Sequence, residues 1–487
     1  MNIYDEGVAL VGAEHVRQGN IPYQDFWTMY APGQFYLLAG WLEVFPDSVL
    51  SSRVMSILIL FAYAFLTYRL STKSNSNNIS ILVFILAVVW LNAFAGYGRA
   101  LSTAMMLSLL TLLTFLKFLD DPKIKYLLFC GLLVGLTGIF RHDIGAYLFV
   151  SIGLTLLLSK QEIKKGKSIV FLFLSTLITA LVLLAYFLIN IPLDTLYEML
   201  IETPGTIFKE YRSLPYPIPF IGHDFSGVEP SVQRRMLIIW DSLVFYIPLI
   251  IYIYSIIKQF KERNALRLLL TIFGLALYNQ TTVRADIEHL LPTFIVSIIL
   301  ASTYVDKTKL KKFGKIVIFV VFVGLVSVPM LRTIKNIASA EKIVHDKNGL
   351  SNRLNWIFFD KDHRQNYFFI NRINQIPKIK GNFWIGCMQH DKIYINDVSL
   401  YYILDIELVT KYTEMHPGVV TTEKVQKEII EELKANDVNT IILCKIDEVK
   451  EPNKSSQSSG ITLLDDYIKS NFVLHADLEK YQVFIKK

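Results

Sequence analysis

Five groups of ionisable residues stand at the edges of long apolar segments in this chain: Asp5-Glu6, Tyr23 with Asp25, Arg99, Arg141-His142-Asp143, and Arg284 to His289 with Asp286 and Glu288 between them. A charge on a membrane helix costs about 2.5 to 3.5 kcal/mol at mid-bilayer and less at the interface, so its placement is informative. Any one of these residues reads as an ordinary interfacial charge. Together they bring carboxylates and guanidiniums from at least four connections to one side of the chain, which is what a site for an anionic, polar substrate at a membrane surface requires. The chemistry open to it is proton transfer to a carboxylate and neutralisation of a phosphate-like group by arginine.

The elements that must position these residues follow from composition. The 487 residues are 53% hydrophobic and only 19% charged, and the apolar residues come in long blocks with no amphipathic spacing. We read about ten membrane crossings, near 49–70, 80–95, 98–118, 126–140, 144–159, 168–192, 236–257, 266–280, 289–305 and 315–331. A wholly soluble protein is a poor reading of this composition. The formal charge of +7 does not point to nucleic acid, because the cations sit in short runs between the blocks and form no stripe.

Those runs define a topology. Arg69 and Lys73; Lys117, Lys123 and Lys125; Lys160 to Lys167; Lys258 to Arg267; and Lys307 to Lys315 fall in alternate connections, which the positive-inside rule makes cytoplasmic. The opposite connections, residues 1–48 and the tail from about 333 are then non-cytoplasmic. Export of residues 1–48 leads us to expect a transmembrane helix ahead of Met1.

Residues 1–332 thus read as a transmembrane module and 333–487 as an external soluble domain. In the tail, Thr422 is placed to cap a helix with Val425, Ile429, Ile430 and Leu433 on one stripe, followed by a strand at Thr440 to Cys444. A helix over 462–470 and a strand at Tyr481 to Ile485 repeat the alternation, which favours a small α/β layer fold, with Glu451 to Gly460 as a loop. Cys387 and Cys444 read either as buried strand thiols or as an external disulfide, and Cys130 lies in an apolar block.

A sugar joined through its anomeric carbon to a lipid phosphate is already activated, so a protein moving it needs only a base for the acceptor and cations for the leaving group. Direct displacement puts base and leaving group on opposite faces of the sugar, so acids and cations should come from different loops, as they do here. Asp5-Glu6-Gly7, the stretch Gly19-Asn20-Ile21-Pro22-Tyr23-Gln24-Asp25-Phe26 and the phrase Arg284-Ala285-Asp286-Ile287-Glu288-His289-Leu290-Leu291-Pro292 resemble the GT-C glycosyltransferases. The pattern is similar to the protein O-mannosyltransferase and aminoarabinose transferase group, across nearly the whole chain.

That resemblance implies a mainly α, GT-C-like bundle with a C-terminal α/β domain, inverting transfer from a polyprenyl-phosphate sugar, and a glycan, lipid or protein acceptor. It makes Asp5 the base with Glu6 as its neighbour. Arg99, Arg141, Arg284 and His289 would hold the donor phosphate, and Tyr23, Asp25, Tyr30, Asp143 and Asp286 would line the site. Where relatives often carry a Lys before a Pro pair, this chain has Tyr30-Ala31-Pro32, and an acid that relatives place early in a later helix is missing from Arg99 to Ala104; Asp143 or Asp25 stands in for it. No cofactor is expected, with a divalent metal as the alternative reading: His142, His223 and His289 have carboxylates nearby but lack the spacing of a metal-ligand motif. The aromatic and proline residues from Tyr211 to Phe225 read as an interfacial belt or a lid. The competing classes are a secondary transporter, against which the absence of an internal repeat argues, and a catalytically silent relative.

Overall fold

A backbone in hydrocarbon must satisfy its own N–H and C=O groups, so each apolar block folds as a helix. The computed structural model describes residues 4–161, 163–222, 230–262, 264–305, 312–342, 352–354, 358–360, 382–393, 395–445, 450–478 and 480–487. Two short helices come first, α1 (Asp5–Arg17) and α2 (Gly33–Val44). Then follow α3 (Val49–Ser71), α4 (Asn77–Phe94), α5 (Ala100–Asp120), α6 (Ile124–Phe140), α7 (His142–Leu158) and α8 (Lys165–Asn190). A connection containing α9 (Leu193–Tyr197), π-helical turns and α10 (Lys209–Arg212) leads to α11 (Val232–Glu262), α12 (Ala265–Val283), α13 (Ile287–Ser302) and α14 (Lys312–Ser339).

All ten expected crossings are helices, and the chain is a multi-pass membrane protein. Six are long and apolar enough to span a bilayer, and α6, α7 and α13 are shorter apolar helices. Burial separates centre from rim: 67% of the apolar window of α5 is buried against 11% in α8 and in the Ile316–Ala338 part of α14, so α5 is central and the other two face lipid. α6 reaches α8 through Gly131 and Gly135, where an added Cβ would collide with the Ser175 and Thr179 side chains.

The two ends of the bundle differ. At one end Asn75 of the α3–α4 connection donates to Ser302 at the end of α13, and Arg267 near the start of α12 donates to Thr303. These connections belong to the basic set. The other end carries α1 and the α4–α5, α6–α7 and α12–α13 connections, where the candidate site residues lie.

In the tail, β1 (Ala340–Lys342) and β2 (Phe358–Asp360) form an antiparallel pair. A four-stranded sheet follows, ordered β3-β4-β6-β5, with β3 (Phe383–Cys387) parallel to β4 (Thr440–Cys444), and β5 (Phe472–Leu478) and β6 (Tyr481–Lys486) antiparallel. Thr422 caps the helix Glu423–Ala435, whose Val425, Ile429 and Leu433 are buried, and the helix Leu463–Asn471 precedes β5. Cys387 and Cys444 are buried, unpaired thiols in register on neighbouring strands.

One hydrophobic core runs from α1 into this sheet domain, joining Val8, Leu10 and Val11 to Trp384, Leu400, Tyr401 and Tyr402. The close approach depends on Gly7, where a Cβ would lie 2.5 Å from the Ser399 nitrogen.

Candidate active site

The first turn of α1 carries Asp5 and Glu6, acids that suit the positive end of a helix. Glu6 faces inward, 1% exposed, and takes a bidentate pair from Arg53 of α3 at 2.7 and 3.0 Å. That guanidinium also lies over the Tyr97 ring. Glu6 therefore fixes α1 against the bundle, and Asp5, one residue earlier, is turned toward the helix ends.

Asp5 accepts two charge-directed hydrogen bonds, one from the Tyr30 hydroxyl at 2.7 Å and one from Arg99 Nη2 at 2.7 Å. The other terminal nitrogen of Arg99, Nη1, donates to Glu288 of α13 at 2.6 Å. Asp5, Tyr30, Arg99 and Glu288, from four separate segments, thus form one continuous polar cluster. Burial, then the charge of Asp5, raises the Tyr30 hydroxyl well above the usual phenol range, so it donates. Arg99 lines two water-sized cavities, one with Tyr63, Phe94, Ser102, Glu288 and Pro292, the other with Gln34, Ser56, Gly96, Gly98 and Ser102.

The loop behind Asp5 is held by its own turns. Tyr23 takes a positive φ of 72°, pairs its N–H with the Phe26 carbonyl and donates its hydroxyl to the Tyr30 carbonyl at 2.7 Å. The exposed Asp25 accepts from the Ile21 N–H at 2.7 Å. It shapes the turn.

Arg141, between α6 and α7, forms a bidentate pair with Asp143 at 2.9 and 2.7 Å, and Gln280 of α12 donates to the same carboxylate. Arg284 is taken up elsewhere. It meets Asp286 at 2.8 Å, Glu451 of the sheet domain at 2.8 and 3.1 Å, and the Arg212 carbonyl at 2.5 Å. Asp286 caps α13 through the His289 N–H and also meets His289 Nδ1 at 2.7 Å. Burial opposes the charge on Asp286, yet His289 and Arg284 hold its carboxyl well below the usual range. Arg284, Asp286 and His289 therefore shape the α12–α13 corner, and Glu288 is the member of that segment that joins Asp5 through Arg99.

Sequence reasoning passed over Arg53, Glu414 and Glu451, and it noticed Glu288 without giving it a role. Glu414, in the sheet domain and 2% exposed, accepts from the Tyr4 hydroxyl at 2.9 Å and the Thr28 hydroxyl at 3.1 Å. Burial pushes its carboxyl up to about 7. An acid in a polar tail gives no local signal, since only folding brings it beneath the first loop. Among the described residues no three His, Cys, Asp or Glu side chains converge as metal ligands. His223 and Phe225 lie outside the described residues, while Tyr216 packs on Phe245 and Tyr246 and its hydroxyl meets that of Tyr278.

The model of the family described as dolichyl-phosphate-mannose-protein mannosyltransferase matches residues 30–189, a stretch containing Tyr30, Arg99, Arg141 and Asp143. No curated protein sequence matches the chain. Among solved structures, ArnT from Cupriavidus metallidurans in the apo state is similar over 99% of this chain and 93% of its own, at 12% identity and TM-score 0.50. The Archaeoglobus fulgidus oligosaccharyltransferase in the apo form is similar over 90% of this chain at 11% identity and TM-score 0.49, and this chain spans 65% of its length. The arabinofuranosyltransferase AftD from Mycobacteria is similar over 99% of this chain and 38% of its own, at 11% identity and TM-score 0.46. The fold is like that of ArnT, a helical membrane module followed by a small sheet domain.

Proposed function

We propose that this GT-C chain is a membrane glycosyltransferase that moves a sugar from a polyprenyl-phosphate donor to an acceptor hydroxyl or amine at the non-cytoplasmic face, with inversion. The observation that supports it most is the Asp5–Arg99–Glu288 cluster, completed by Tyr30, at the end of the bundle opposite the basic connections. A carboxylate held beside a guanidinium is what displacement at an activated sugar needs.

Asp5 takes the acceptor proton as the acceptor atom bonds to the anomeric carbon, and the bond from that carbon to the phosphate oxygen breaks. The pair of electrons leaves with the lipid phosphate, whose charge is met by Arg99, with Arg141 as the second cation. In the resting arrangement Arg99 is bound to Asp5 and Glu288. An arriving phosphate competes for the guanidinium and releases Asp5 toward the acceptor, so donor binding prepares the base. Glu288 keeps Arg99 in place during the exchange.

The test uses the full chain in nanodiscs with a panel of radiolabelled polyprenyl-phosphate hexoses and pentoses. Asp5→Asn should lower transfer by about 10²- to 10⁴-fold while donor affinity stays within a few-fold, because only proton acceptance is removed. Arg99→Ala should weaken donor binding itself. Near wild-type transfer by Asp5→Asn rejects the base, and a chain that accumulates sugar inside sealed vesicles with no new covalent product is a transporter.

A further inference from the structure

Glu414 makes a contact that the reaction above does not use. It is carried by the sheet domain, yet both of its oxygens serve the segments that flank Asp5. Oε1 accepts from the hydroxyl of Tyr4, the residue immediately before Asp5. Oε2 accepts from Thr28, whose Oγ1 in turn accepts the Tyr30 N–H at 3.3 Å. Tyr30 then donates to Asp5. One arm therefore runs from this buried carboxyl to Tyr4, next to Asp5 in the chain, the other runs through Thr28 and Tyr30 to the Asp5 carboxylate, and the Met29 N–H adds a third contact to Glu414.

We propose that Glu414 is a positioning residue through which the sheet domain sets the orientation of Asp5 in the membrane module. The inference rests on the reading of Asp5 as the base. It goes beyond that reading in assigning the sheet domain a direct part in the reacting geometry. Without Glu414, the Tyr4 and Thr28 hydroxyls lose a buried acceptor, and the loop that presents the Tyr30 hydroxyl to Asp5 loses its anchor.

The surroundings also couple Glu414 to pH. Tyr4 and Asp5 face it from α1, Tyr23 and Tyr30 from the first loop, while Arg212 of α10 acts on Tyr4 and on His416. Burial is the main cause of its raised value of about 7, with the charge of Asp5 adding to it. By reciprocity an ionised Glu414 makes Asp5 a better proton acceptor. The carboxyl that aligns the base therefore changes its own charge near neutrality.

The experiment compares the full chain with Glu414→Gln and Glu414→Ala in nanodiscs, by transfer from the same donor panel and by amide exchange. Glu414→Ala is expected to lower kcat about 30-fold or more with donor KM within about threefold. Glu414→Gln, which keeps an acceptor, is expected to recover most of kcat but to lose an inflection of kcat near pH 7 that the unmodified chain shows. Amide exchange in peptides covering 4–10 and 26–32 should rise in Glu414→Ala while β3 and β4 stay protected. Unchanged kcat in Glu414→Ala, or unchanged exchange of those peptides, overturns the proposal. A chain that turns over none of the donors rejects the Asp5 reading itself, and the exchange comparison then decides alone whether Glu414 holds the loop.

Discussion

Asp5 and Glu6 are adjacent acids with opposite surroundings. Glu6 is buried in a bidentate pair with Arg53, whereas Asp5 sits at the opening with Tyr30 and Arg99. Their neighbourhood in sequence gave no means of separating the roles, because the partners come from α3 and from the start of α5. Tyr23 and Tyr30 were legible as members of the loop. Asp25 was placed there too, and in the structure its carboxylate accepts from the Ile21 N–H and closes the turn. Glu414 sets a residue-scale prediction for stability. Its folded value of about 7 stands above the ordinary 4.5, so its contribution is present in full below about 4.5 and is lost as pH rises through about 7. The loss is on the order of 3 kcal/mol, and thermal unfolding followed between pH 4.5 and 8 should show a decline that Glu414→Gln reduces. An equal decline in both proteins would show that other groups carry it.

The helices were legible because lipid enforces a simple rule: apolar blocks of sufficient length become helices, and the cations mark alternate ends. The tail was partly legible for a different reason. Thr422 with its apolar stripe and the run Thr440 to Cys444 repeat patterns that short-range physics fixes, and both formed as expected. β3 was legible only through Cys387, read as a strand thiol, and β5 escaped notice because Phe472–Leu478 is an edge strand with several exposed residues and no clean alternation. Gly7 shows what an element needs beyond its own propensity. α1 would tolerate alanine there in isolation, but the backbone of Ser399 occupies the space. Gly7→Val should therefore force α1 from the sheet domain, lowering stability by about 1 to 3 kcal/mol and raising amide exchange across 4–17. Wild-type melting and exchange in that variant would show that the two surfaces separate without cost.

At the scale of the molecule, the sheet domain is joined to the membrane module on two sides of the candidate site. α1 and Glu414 make one junction. The other lies at the α12–α13 corner, where Arg284 binds Glu451, Asn453 donates to the Ser213 carbonyl, and Lys454 meets Glu210. The segment around Arg284 was readable from sequence as polar and clustered, and donor phosphate was the expected partner. Its long-range partner Glu451 lay in a stretch that reads simply as a loop, so the docking role could not be seen before the fold. The two roles predict different consequences for Arg284→Ala. As a docking residue it takes two donors from the Glu451 carboxylate, which keeps Asn453, and one from the Arg212 carbonyl, costing about 2 to 3 kcal/mol. Protease cleavage and amide exchange near 210–214 and 451–457 should then increase, Glu451→Gln should act in the same direction, and the double variant should cost less than the sum of the two. Donor affinity should change little, because Arg99 and Arg141 remain. A large loss of affinity for the polyprenyl-phosphate sugar with both docking segments still protected would return Arg284 to the phosphate and leave Glu451 as a bystander.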